Sequence, residues 1–159
     1  MNVRIKIELN TGAVRLPGPV GVAHAAGLFD GEGCVHIARQ KKATARRGHI
    51  FRLVVSVVQN HLDTLIDFQN HVGVAGRIYQ TRRRGTANRD TFALNYDGRA
   101  AAKLLDVLLP YLRRKKDEAV EALRFQRTCE ISRHFGPNGC PEDIWLRREA
   151  LYRKLRNLK

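Results

Sequence analysis

In the segment AAGLFDGEGCVHI, Ala25 to Ile37, two acids stand two positions apart, and Glu32 is held between Gly31 and Gly33. Glycine on both sides lets the backbone turn sharply and approach another chain or a ligand closely. A carboxylate presented in this way suits a hard cation. Mg2+ takes oxygen ligands and is commonly held by one or two carboxylates together with substrate phosphate. Spacing alone equally allows a plain polar turn after a helix. The residues upstream add information, because Ala23, Ala25, Ala26 and Gly27 leave that helix almost without side chains. Such a surface permits close packing of backbones, either inside the domain or between two copies of it. Two such helices meeting across a two-fold axis would carry two copies of Glu32 side by side.

These acids belong to a strongly basic chain. Its 159 residues carry 29 Lys and Arg against 15 Asp and Glu, a formal charge of +14, so the expected partner is a polyanion. The length suits one domain with its own core. Cys34, Cys129 and Cys140 are irregularly spaced and fit neither a disulfide framework nor a paired zinc site, which points to a reducing compartment. No apolar run approaches the roughly 18 residues of a membrane span, and no signal peptide is visible. A soluble, intracellular protein with no membrane partner is expected.

The elements that must position the acids follow from hydrophobic period. VRIKIELN alternates apolar and polar residues like a half-buried strand, and LPGPVG then interrupts regular structure, so residues 1–19 read as an extension. Residues 20–159 read as one domain with a basic amphipathic C-terminal helix. Within it a helix runs from about Val20 to Phe29. Val35 and Ile37 open a strand, QKKATARRGH turns the chain, and Phe51, Leu53, Val55 and Val57 mark the apolar side of the returning strand. Leu62, Leu65 and Ile66 stand at helical spacing before Gly73, a natural helix end. A second hairpin has strands around Ile78 and Phe92. A helix from Arg99 to Leu109 ends at Pro110, and another follows from about Arg113 to Cys129. The order implies an α+β fold: a four-stranded antiparallel sheet with one face under helices and one face free.

AAGLFDGEG resembles the signature of the LAGLIDADG homing endonucleases. Ala26, Gly27, Leu28, Asp30 and Gly33 are identical to it; Phe29 stands for Ile, Gly31 for Ala and Glu32 for the second Asp, and Ala25 replaces Leu. The resemblance implies an αββαββα fold and a site-specific endonuclease that makes a metal-dependent double-strand break. Its cofactor would be Mg2+, with Mn2+ or Ca2+ as substitutes. One copy of the motif implies a homodimer on a long, near-palindromic double-stranded DNA target. An RNA maturase acting on an intron RNA, or a non-cleaving DNA-binding regulator, is the alternative on the same fold.

Carried over residue by residue, the resemblance makes Glu32 the metal ligand, with the Gly31 carbonyl as a further one. Gln59, at the end of the second strand, falls where the family keeps a polar residue near the reactive water. Lys115 in PYLRRKK falls on the family's lysine. Ala23, Ala26, Gly27 and Asp30 would form the dimer contact. One departure is Asp63, which stands where homodimeric members carry a basic residue; His61 or Lys116 would have to compensate.

For DNA, a twisted antiparallel ribbon fits the major groove, where base edges present distinguishable patterns. The free face is expected to hold His36, Ala38, Gln40 and Lys42, then Arg52, Val54 and Ser56, then Tyr79, Thr81 and Arg83, and finally Arg89 and Thr91. A one-residue slip in the last strand would reverse its face. Lys41, Arg46, Arg47, Arg82 and Arg84 in the turns suit phosphate contacts, as does Lys116.

Overall fold

A computed structural model describes residues 3–7, 18–82, 91–130, 135 and 139–159. Along the chain these form β1 (Val3–Ile7), α1 (Pro19–Glu32), β2 (Gly33–Lys41), β3 (His49–Gln59), α2 (Leu62–Val72), β4 (Arg77–Arg82), β5 (Thr91–Asp97), α3 (Gly98–Leu108), α4 (Lys116–Glu130) and α5 (Glu142–Asn157). None of these helices is long and apolar enough to cross a membrane.

All strand pairs are antiparallel, in the order β1-β4-β5-β3-β2. The expected four strands are therefore five. β1 joins the outer edge of β4, with Ile7 opposite Ile78 and Lys6 opposite Tyr79. A pairing between segments so far apart in the chain leaves no local trace, so the alternation of VRIKI showed a strand but not its neighbour.

The two sides of the sheet follow the side-chain alternation. Val35, Leu53, Val55, Val57, Ile78 and Leu94 are buried beneath the helices, while their sequence neighbours face the other way. Leu94 and Tyr96 are both buried, which settles the face of β5 and leaves Thr91 on the free side. Phe29 of α1 stacks on Phe68 of α2 at 6.4 Å between ring centres, joining the first two helices over the sheet.

Two helix ends depart from expectation. α1 continues through Asp30, Gly31 and Glu32, so the Asp-Gly-Glu segment is the last turn of the helix rather than a turn after it. α4 begins at Lys116 instead of Arg113, because residues 113–115 are drawn into contacts with Asp30. α2 ends as expected: Gly73 has φ 64°, and its N–H donates to the Gln69 carbonyl at 3.0 Å. α5 is not a free basic helix. Leu155 is buried, Arg148 donates to the Thr128 carbonyl at 2.8 Å, and Lys154 pairs with the buried Glu121 of α4 at 3.0 Å.

The link between α2 and β4 is pinned from the core. The Gly76 N–H donates to Gln69 Oε1 at 2.9 Å, and the Tyr96 hydroxyl donates to the Val74 carbonyl at 3.1 Å. Burial pushes the Tyr96 phenol well above its ordinary value, so it stays a donor. Tyr96→Phe leaves the Val74 carbonyl without this partner and is expected to lower stability by about 1 kcal/mol, measured by urea unfolding.

Candidate active site and nucleic-acid interface

The end of α1 is assembled around Asp30. Its carboxylate accepts backbone N–H groups from Arg113 at 2.8 Å, Arg114 at 3.3 Å and Lys115 at 3.0 Å. The Lys115 ammonium in turn donates to the Asp30 main-chain carbonyl at 2.9 Å. Lys115 is only 5% exposed, so its side chain is held rather than waving in solvent. Burial of the Asp30 carboxyl pushes its pKa up, but the three N–H donors and the Lys115 charge outweigh that, and the net direction is down from the ordinary 3.8.

Glu32 lies two residues beyond Asp30, exposed, as the last residue of the helix. The strand begins at once because Gly33 permits it: a Cβ there would stand 2.5 Å from both the Phe29 carbonyl oxygen and its ring. Gly33 pairs with Val57, which places Gln59, two residues further along β3, at the same end of the sheet as Glu32. Gln59 is half-buried. Glu32, Gln59 and Lys115, drawn from three distant segments, thus share one end of the molecule. Lys116 opens α4 beside them and is exposed, and His61 is exposed just before α2.

This donor set fits a hard cation only in part. Glu32 is exposed, and beyond the helix's own backbone no described residue lies within 4 Å of where a Gly31 side chain would be, so the helix end is open to an incoming group. No group of three or more His, Cys, Asp or Glu that could enclose a metal occurs among the described residues. A cation at Glu32 would need oxygen ligands beyond those the described residues bring together there.

The small residues of α1 divide between two surfaces. Ala25 and Ala26 have no exposed surface, and a Cβ on Gly21 would press on the His71 ring of α2 at 2.8 Å. Ala26 was expected at a dimer contact; its i+3/i+4 spacing from Val22 and Phe29 puts it in the core instead. Asp30, expected there too, is engaged with residues 113–115. The outward ridge is Ala23, Gly27 and Gly31, all exposed and one helical turn apart. Among the described residues outside the helix's own backbone, nothing comes within 4 Å of a Cβ built on Gly27 or Gly31. Glycine in a helix interior costs about 1 kcal/mol relative to alanine, and no contact among the described residues offsets that cost at Gly27.

On the free side of the sheet, His36, Ala38 and Gln40 of β2 face the same way as Arg52, Val54 and Ser56 of β3 and Tyr79 of β4. Thr81 and Arg82 are described by their pairing, with Thr91 and Val3 respectively. Lys41, Lys42 and Arg46 are exposed at the hairpin tip. Arg83, Arg84 and Arg89 lie outside the described residues. Arg47 is turned inward: its guanidinium sits 4.9 Å over the Trp145 ring and 3.7 Å from Glu142, so α5 rather than open solvent receives it.

Several residues of this face were not anticipated. Asp97 lies among the strands with Arg52 Nη2 at 2.8 Å and Arg77 also paired to it, so both guanidinium groups are oriented by one carboxylate. Asn95 stands between Ser56 and Arg77. Both were visible in principle, since they alternate with Leu94 and Tyr96. Lys159 brings the end of α5 to the rim of this face, its ammonium 3.4 Å from Cys34 Sγ.

Residues 25–132 match the LAGLIDADG endonuclease family model. The chain belongs to that family. Its fold is similar to the homing endonuclease I-CvuI in complex with DNA, at 20% identity and a TM-score of 0.71, covering 88% of this chain and 82% of that one. It is similar also to the archaeal intron-encoded homing endonuclease I-Vdi141I complexed with DNA, at 19% identity and a TM-score of 0.70, covering 88% and 84%. Against the LAGLIDADG homing endonuclease I-SmaMI bound to uncleaved DNA, at 16% identity and a TM-score of 0.62, 86% of this chain covers 45% of the other. A comparison with curated proteins gave no match. β1 is the strand by which this LAGLIDADG chain exceeds the expected four.

Asp63, the departure from the family's basic residue, falls in the first turn of α2, where a carboxylate is favoured by the helix dipole. It thus serves the helix locally.

Asp30→Asn keeps the shape of the side chain but removes the charge that three N–H groups address. At neutral pH it is expected to cost about 1 kcal/mol, the order of the net worth of a hydrogen bond that loses its charge assistance. A lowered folded pKa means that this contribution is complete above 3.8 and is lost as pH falls through the folded value. The gap between wild type and variant should therefore close on acidification, as followed by urea unfolding at a series of pH values.

Proposed function

We propose that the chain is a homodimeric, divalent-metal-dependent, site-specific DNA endonuclease of the homing type, acting on a long, near-palindromic duplex. The observation that carries this reading is the exposed ridge of Ala23, Gly27 and Gly31 running straight into Glu32, with Lys115 anchored at the same helix end. A second copy packed on that ridge would bring two Glu32 carboxylates together, each beside one strand of a duplex. Gln59 and Lys115 stand at that end, and the free sheet face with its basic residues extends from it.

Glu32, with the Gly31 carbonyl, would hold Mg2+, for which Mn2+ or Ca2+ could substitute in binding. The bound ion would polarise the scissile phosphate and favour the hydroxide form of an attacking water. Lys115, held by the Asp30 carbonyl, supplies a fixed positive charge for the oxygen on which negative charge develops. Gln59 offers both a donor and an acceptor for orienting water. His36, Gln40, Arg52 and Tyr79 would face base edges, with Arg52 aimed by Asp97. Lys42, Arg46 and Lys116 would take phosphates. A free face lined with bidentate readers and a two-fold repeat of that face favour a near-palindromic site.

Selection of cleaved duplexes from a randomised library with Mg2+ tests the reading directly. Recovery of a two-fold symmetric sequence is expected, and retention of uncut duplex alone, or of RNA alone, would refute it. Glu32→Gln should lower the cleavage rate on the selected duplex by at least ~100-fold while leaving its Kd nearly unchanged. Gly27→Leu places a bulky side chain on the exposed ridge of α1. It is expected to weaken dimerisation by at least ~10-fold, read by analytical ultracentrifugation, without lowering the thermal midpoint of the monomer.

A further inference from the structure

β1 covers the edge of β4. Its apolar residues alternate with basic ones in VRIKI, and the register decides which side each set takes. Ile7 stands opposite the buried Ile78 and packs on the core, so the even positions of β1 belong to the other side. Lys6 is exposed there, level with Tyr79, and Arg4 holds the register position opposite Thr81. The row of Tyr79 and Thr81 is thereby continued outward by two basic positions.

The width of the sheet says what such positions would meet. Strands are spaced by about 4.8 Å, so β2, β3, β5 and β4 span roughly 14 Å, already the width of a major groove of about 12 Å. With those four strands laid along the groove, a fifth would fall beyond the base edges and over the sugar-phosphate wall. Charged residues on an edge strand also guard it against pairing with another chain; what favours DNA here is that these basic positions extend the row of Tyr79 and Thr81 on the free face. We propose that β1 is an added DNA-contacting strand, in which Arg4 and Lys6 bind backbone phosphates of the duplex flanking the groove read by β2 to β5. This rests on the endonuclease reading and adds affinity and register rather than base recognition.

The test compares wild type with the Arg4→Gln/Lys6→Gln double variant and with Lys6→Arg, on the duplex recovered by wild-type selection and on a duplex of random sequence. The double variant should bind both duplexes at least ~10-fold more weakly at low salt, and the slope of log K against log salt should flatten by about 0.9 for each phosphate no longer neutralised. Hydroxyl-radical footprints should lose protection at a discrete set of sugars placed symmetrically about the site centre. Lys6→Arg should retain the wild-type slope and footprint. An unchanged slope and footprint in a double variant whose wild-type parent binds and cuts would overturn the inference while sparing the endonuclease reading. A weaker double variant whose thermal midpoint falls in parallel, with the footprint intact, would assign β1 to edge cover and overturn it as well. A wild-type protein that binds neither duplex would remove the endonuclease reading itself.

Discussion

The tie between Asp30 and residues 113–115 is the contact on which the arrangement of this molecule turns. One carboxylate satisfies three backbone N–H groups at the approach to α4, and the lysine that follows closes back on the helix from which the carboxylate came. Backbone N–H groups are costly to leave unpaired when withdrawn from water, and a charged acceptor is the strongest partner they can have. The tie joins segments far apart in the chain. It orders the last turn of α1, delays the start of α4 and fixes Lys115 close to Glu32. Without it, the two charged groups of the candidate site would sit on independent helix ends.

The second constraint is the two-sided character of α1. A helix built from Ala and Gly buries little apolar surface of its own, and its stability must come from what packs on it. On the inner side Phe29 supplies that surface, with Gly21 letting α2 approach. On the outer side Gly27 and Gly31 meet none of the described residues beyond their own helix, and glycine inside a helix is destabilising relative to alanine. In the homodimer proposed above, a partner requiring backbone-to-backbone approach would account for such residues there.

The free face of the sheet shows how a very basic protein keeps its charges usable. Long side chains of like sign on adjacent strands repel and wander. Asp97 counters this by pairing with Arg52 and Arg77, so that their guanidinium groups are directed by a carboxylate between them. Arg47 is instead withdrawn under α5, where the Trp145 ring supports it. Arginines that look alike along the chain therefore belong to different surfaces.

Much of this was legible in the residues. Period-two runs marked β2 to β5 and their buried sides, because each strand has one face on a core and alternation records that directly. The Ala/Gly helix, the glycine-flanked Glu32 and the excess of positive charge were local or compositional properties, and the motif carried the family. What required tertiary structure was every relation between distant segments: β1 against β4, Asp30 against residues 113–115, Asp97 between two arginines and Arg47 beneath α5. Ala26 illustrates the limit most simply. It and Gly27 are neighbours of similar size with no chemical feature to separate them, yet one lies in the core and the other faces out, because a turn of about 100° per residue matters only once something is packed on each side.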